Sequence, residues 1–116
     1  MGAENVAAVC AGAGLIVDAF DNRASREVLS AHARATGTPL VHAAMAGDGR
    51  FGLVRWDERF TADAEDHAGQ ATCEGGEHLP FIGLLAAALA RAVQDFVTDG
   101  TRRDALVSRS GMSTLA

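Results

Sequence analysis

The sequence has no tyrosine and one tryptophan, and aromatics make up only 5% of its 116 residues. Alanine and glycine take their place, so the core must be built from small side chains and closely spaced elements. Only two cysteines occur, Cys10 and Cys73, far apart and outside any Cys-x-x-Cys pair. That pattern excludes a disulfide framework and a self-contained structural zinc site, and it predicts a reducing, cytoplasmic setting. No basic stripe interrupts the mixed charges, whose sum is −5. Binding to a nucleic-acid backbone is therefore not expected. Met1 to Ala8 has neither a basic n-region nor a long apolar h-region, so no signal peptide is read. The longest apolar run, Leu79 to Ala90, is shorter than the roughly 20 residues needed to span a bilayer, and no membrane partner is expected.

The chain contains 48% hydrophobic and 22% charged residues. This composition can bury enough apolar surface to offset ordering entropy, and the length suits one domain. Glu4 to Ala11 reads as a short helix broken by Gly12 and Gly14. Leu15-Ile16-Val17 running into Asp18-Ala19-Phe20 is an apolar, β-branched stretch that predicts a buried parallel strand. Ala24, Val28, Ala31 and Ala35 fall at helical spacing, and Gly37 stops that helix. Pro39 to Ala44 reads as a second strand, which completes one βαβ crossover with parallel strands.

Gly47-Asp48-Gly49 signals a turn, and Phe51 to Trp56 reads as an antiparallel strand. Residues 57–79 form a long polar loop. Pro80 opens a helix from Phe81 to Val97, apolar all round in its first half and amphipathic in its second. Asp99-Gly100 ends it. Ala105 to Val107 is read as an edge strand, with a frayed tail from Ser108. The fold class predicted is α/β: a partial, Rossmann-like mixed sheet with one βαβ unit, an antiparallel extension and a long C-terminal helix.

Gly12-Ala13-Gly14 looks like the start of a dinucleotide loop. Such a loop must follow a strand and open a helix, and this one precedes the strand, so it is read as a turn. Asp18-Ala19-Phe20-Asp21-Asn22 lies at the C-terminal end of a parallel strand, the edge where open α/β sheets bind ligands. Asp is a hard oxygen donor suited to Mg²⁺. Spacing alone favours the simpler reading that Asp21 or Asn22 caps the following helix.

Cys73 precedes an apolar helix whose N-terminus would activate a thiolate, but Glu74 and Glu77 act against that, and an inert loop cysteine is the plainer reading. Cys10 is read as buried. His32, His42, His67 and His78 are each read as solvated or hydrogen-bonded. Trp56 is placed in the core. The cluster Arg55, Asp57, Glu58 and Arg59 is read as a solvated face.

Taken in order, these segments resemble the later half of the ThiF/MoeB/HesA family, relatives of the ubiquitin-activating enzymes. The family pattern of an apolar strand followed by Asp-x-x-Asp-Asn-x-x-x-Arg is matched by Leu15-Ile16-Val17 and then Asp18, Asp21, Asn22 and Arg26. Gly37-Thr38-Pro39-Leu40-Val41 matches the next strand. Gly49 to Trp56 matches a turn and strand, and Cys73 followed by Pro80-Phe81-Ile82-Gly83-Leu84 matches a cysteine and helix start. The resemblance covers about three quarters of the chain.

It implies ATP and Mg²⁺ as cofactors, without zinc, and adenylylation of the C-terminal glycine of a ubiquitin-like or sulfur-carrier protein. Asp21 would face the metal and phosphates, with Asn22 beside the nucleotide. Arg26 would anchor the turn, and Cys73 would stand at the sulfur- or thioester-carrying position. The family's Gly-x-Gly-x-x-Gly turn, its acidic ribose-binding residue and its basic triphosphate-binding residues have no match here. One carboxylate cannot replace those donors. The expectation is a single partial domain over residues 1–116, truncated or split and inactive in isolation. It would work as a homodimer or with a complementing N-terminal half. The alternatives are a non-catalytic module that binds a carrier protein and, more weakly, a flavodoxin-like domain with Asp18 and Asp21 at a metal.

Overall fold

A computed structural model describes residues 1–45, 51–60, 79–108 and 111–115. A five-stranded mixed sheet separates two helical layers. The elements are α1 (Val6–Val9), β1 (Ile16–Asp18), α2 (Arg23–Thr36), β2 (Leu40–Met45), β3 (Phe51–Trp56), a 3-10 turn (Asp57–Arg59), α3 (Leu79–Asp99), β4 (Asp104–Ser108) and β5 (Gly111–Leu115). Strand order equals chain order, with β1 and β2 parallel and every later pair antiparallel. The α/β class and the single βαβ unit read from the sequence are therefore present.

Alternation along the strands sends side chains to two faces. Val41, Ala43, Val54, Trp56, Ala105 and Val107 meet Phe81, Leu85, Ala88 and Ala92 of α3. On the other face Ile16 and Leu40 meet Val6 of α1 and Leu29 and Ala33 of α2. Burying each large apolar side chain contributes about 1.5–3 kcal/mol. The scarcity of large residues shows at Gly52. A Cβ there would lie 3.0 Å from Ala44 O and 3.1 Å from Leu85 Cδ2, so glycine is what lets α3 approach β3. Gly37 ends α2 at φ 68°, and Gly100 follows α3 at φ 79°, a backbone region that other residues rarely adopt.

Several expectations are corrected. β1 has three residues rather than six, because the Phe20 N–H donates to Asp18 Oδ1 at 2.8 Å and turns the backbone out of the ladder. It is an edge strand, and Val17 is 43% exposed rather than buried. The first half of α3 is not buried all round. It packs on one sheet face, leaving Gly83, Leu84, Ala86 and Ala87 exposed.

By length and hydropathy Pro80–Asp99 would suffice to cross a membrane, unlike the shorter run counted from the sequence. Here Phe81, Leu85, Ala88 and Ala92 are spent on the sheet. β4 is an interior strand, because 111–115, expected to fray, pair with it as β5. The expected loop 57–79 begins with the 3-10 turn, and Leu79 already belongs to α3. The turn at 47–49, and His67, Cys73 and His78 at 61–78, lie outside the described residues. Cys10 is half-buried rather than fully buried.

Candidate functional site

The C-terminal ends of β1 and β2 meet the N-terminus of α2. Asn22 is extended, at φ −135° and ψ 147°, and its Oδ1 accepts from the Ser25 N–H at 2.8 Å. Asn22 is therefore the N-cap, which settles which of the two adjacent residues caps the helix. Asp21 is exposed. Among the described residues no hydrogen bond or ion pair occupies its carboxylate.

Arg26, one turn into α2, is buried. Its Nη1 donates to Asp18 Oδ2 at 3.1 Å, and its Nη2 donates to the carbonyls of Ala43, at 2.9 Å, and Phe20. Its guanidinium is thus engaged within the fold and ties the turn to both parallel strands. Asp18 is fully buried and bonded to Arg26, His42 and the Phe20 amide. It shapes the turn from below, and only Asp21 of the two motif carboxylates faces outward.

Behind the turn lies a buried polar cluster. His42 of β2 is 0% exposed, with Nδ1 2.5 Å from Asp18 Oδ2 and Nε2 2.8 Å from Asp57 Oδ1. Asp57 also accepts from Ser30 Oγ at 2.6 Å and from Arg34 Nε at 2.7 Å. Phe60 stacks on the imidazole with ring centroids 3.9 Å apart. Arg26, Ser30 and Arg34 recur every fourth residue, so one face of α2 serves both carboxylates. Burial pushes the Asp57 carboxyl up, but hydrogen bonds from Ser30, His42 and Arg34 and the Arg34 charge outweigh it and hold the group below its ordinary value.

The reading of Arg55, Asp57, Glu58 and Arg59 as a solvated face is corrected at Asp57, and His42 was read only as one of four ordinary histidines. The four-residue spacing of Arg26, Ser30 and Arg34, and a histidine inside an apolar strand, were the signals available.

A Mg²⁺ ion is commonly held by one or two carboxylates together with phosphate oxygens and water. The exposed Asp21 fits that limited part. Among the described residues no group of three or more His, Cys, Asp or Glu could hold a metal by itself. Arg23, which follows Asn22 in the chain, is paired with Glu27 at 2.6 Å. Cys73 lies outside the described residues, so its distance from Asp21 is not part of the site geometry. No protein-family model matches the chain, and no curated protein matches its sequence.

Proposed function

We propose that this unit supplies the carboxylate side of a Mg·ATP site in a ThiF/MoeB/HesA-type adenylylating protein. The reaction would activate the C-terminal carboxylate of a ubiquitin-like or sulfur-carrier protein. The observation that carries this reading is the division of labour within one motif. Asp18 and Arg26 lock the turn, Asn22 caps α2, and Asp21 is left exposed at the end of a parallel strand.

Asp21 would hold Mg²⁺, which would offset negative charge on the phosphates. The Gly-rich phosphate cradle and the cationic donors would come from a neighbouring part of the protein or from a second chain. β1 is an edge strand of the sheet, and its outer side is where further parallel strands would add. Cys73 would be the covalent carrier where one is used. A cytoplasmic location and a homodimer or complemented assembly belong to the same proposal.

These 116 residues alone should release neither AMP nor pyrophosphate from ATP, because the Gly-rich turn and the basic triphosphate-binding residues of the resembled family have no match in the sequence. Release of pyrophosphate by the purified chain, dependent on a carrier protein ending in glycine, would contradict that division.

A second reading is a non-catalytic module that binds a carrier protein. It is favoured by the sheet face opposite α3, where Leu53 pairs with Leu106 beside Phe51. Phe51 is 46% and Leu106 37% exposed. Under that reading Asp21→Ala leaves carrier binding intact and Leu106→Asp abolishes it.

A further inference from the structure

We infer that His42 is a buried positioning residue that donates from both ring nitrogens and couples the Asp18–Asn22 turn to the 3-10 turn at Asp57–Arg59. Ionised carboxylates only accept hydrogen bonds. His42 faces one at each nitrogen, Asp18 Oδ2 at 2.5 Å and Asp57 Oδ1 at 2.8 Å. Both contacts form together when each nitrogen carries a hydrogen. A ring with one hydrogen would set a lone pair against a carboxylate oxygen in a site closed to water, where an unmade bond is expensive. Phe60 covers the ring at 3.9 Å.

The charged and titratable groups around the ring come from four elements. Asp18 lies on β1 and Asp57 on the 3-10 turn. Arg26 of α2 is bonded to Asp18, and Arg34 of α2 is bonded to Asp57. Arg55 is the cross-strand neighbour of His42 on β3, with Nε 3.7 Å from Asp104. Ser30 Oγ, a neutral neighbour, lies 3.5 Å from His42 Nε2.

The consequence follows from the second oxygen of Asp18. Oδ1 accepts the Phe20 N–H, the bond that ends β1 and aims the chain at Asp21. The restraint therefore runs from Asp57 through the imidazole to Asp18 and on to the Phe20 amide. Displacing the 3-10 turn loosens the turn that carries Asp21. No nucleotide takes part in this coupling, which is independent of the proposed activity.

The test is NMR on the ¹⁵N-labelled chain. The unmodified protein should show His42 with hydrogens on both ring nitrogens. A ring nitrogen without one overturns the inference, whatever the variants do. Amide exchange then reads the coupling. In Asp57→Ala the Phe20 amide should exchange about tenfold faster beyond any change in the β4 amides, which report global opening. Asp57→Asn, which keeps an acceptor for Nε2, should restore most of the protection. Ser30→Ala and Arg34→Ala, which leave both imidazole–carboxylate bonds in place, should change Phe20 and β4 together. Phe20 and β4 moving together in Asp57→Ala would overturn the coupling.

Discussion

Arg59 grips Asp104 at two points, Nε to Oδ2 at 2.6 Å and Nη2 to Oδ1 at 3.0 Å. The same carboxylate accepts the buried Trp56 N–H at 3.0 Å. Asp104 therefore joins the end of β3 to the start of β4 and satisfies a backbone donor that has no water to turn to. Asp104→Ala should destabilise the fold by about 1–3 kcal/mol in urea denaturation, because it leaves that donor unpaired. Asp104→Asn, which retains an oxygen acceptor, should lose less.

Acid should weaken the protein through Asp57 and Asp104. Burial raises both groups. At Asp104 the Arg59 hydrogen bond, the Trp56 N–H and the charges of Arg59 and Arg55 reverse the direction, and both carboxyls end below their ordinary value. A group lowered in the folded state contributes stability that is fully present above its unfolded value of about 3.9 and is lost as pH falls through the folded one. Denaturation curves taken from pH 7 downward should show a decline below about pH 4. Asp104→Asn should flatten part of it. An equally steep decline in that variant would place the acid sensitivity elsewhere.

Gly52→Ala tests the close approach of α3 to β3. The added methyl would meet Ala44 O at 3.0 Å and Leu85 at 3.1 Å. The expected loss is about 1–3 kcal/mol, the scale of an overpacked core, measured by thermal or urea unfolding. The double variant with Leu85→Ala should cost less than the sum of the two single changes, since one substitution makes room for the other.

The motif separates stability from binding at adjacent residues. Asn22→Ala should cost about 1 kcal/mol through the lost cap, and Asn22→Ser should restore most of it. Asp21→Ala should change stability by no more than about 0.5 kcal/mol, as an exposed side chain without a partner among the described residues. Circular dichroism melts of the three variants distinguish these outcomes.

Much of the architecture was legible because it follows local rules. The apolar spacing and Gly37 define α2, the intervening helix makes β1 and β2 parallel, and the few residues between Met45 and Phe51 leave room only for an antiparallel β3. What escaped depends on contacts made far along the chain. Asp18 shortens β1 through its own side chain, a choice that apolar patterning does not register. β5 forms because β4 offers it an edge, not because of its own composition. The exposed side of α3 reflects a sheet that covers one face only, and the alanines and leucines there look the same whether buried or not.

The site divides in the same way. The motif of Asp18, Asp21, Asn22 and Arg26 could be read in sequence, but not which of its members face inward. His42 and Asp57 lie 15 residues apart on separate elements and gain meaning only when α2 brings Ser30 and Arg34 against them.

The proposed role of Asp21 is to hold the metal of Mg·ATP. It is tested most directly by titrating the ¹⁵N-labelled chain with Mg·ATP and then Mn·ATP, wild type against Asp21→Ala. Weak shifts confined to the amides from Phe20 to Ala24, set by the metal–carboxylate contact alone, their broadening by Mn²⁺, and the loss of both effects in the variant are expected. Spectra that do not move at this turn, or that move equally without the Asp21 carboxylate, would contradict it.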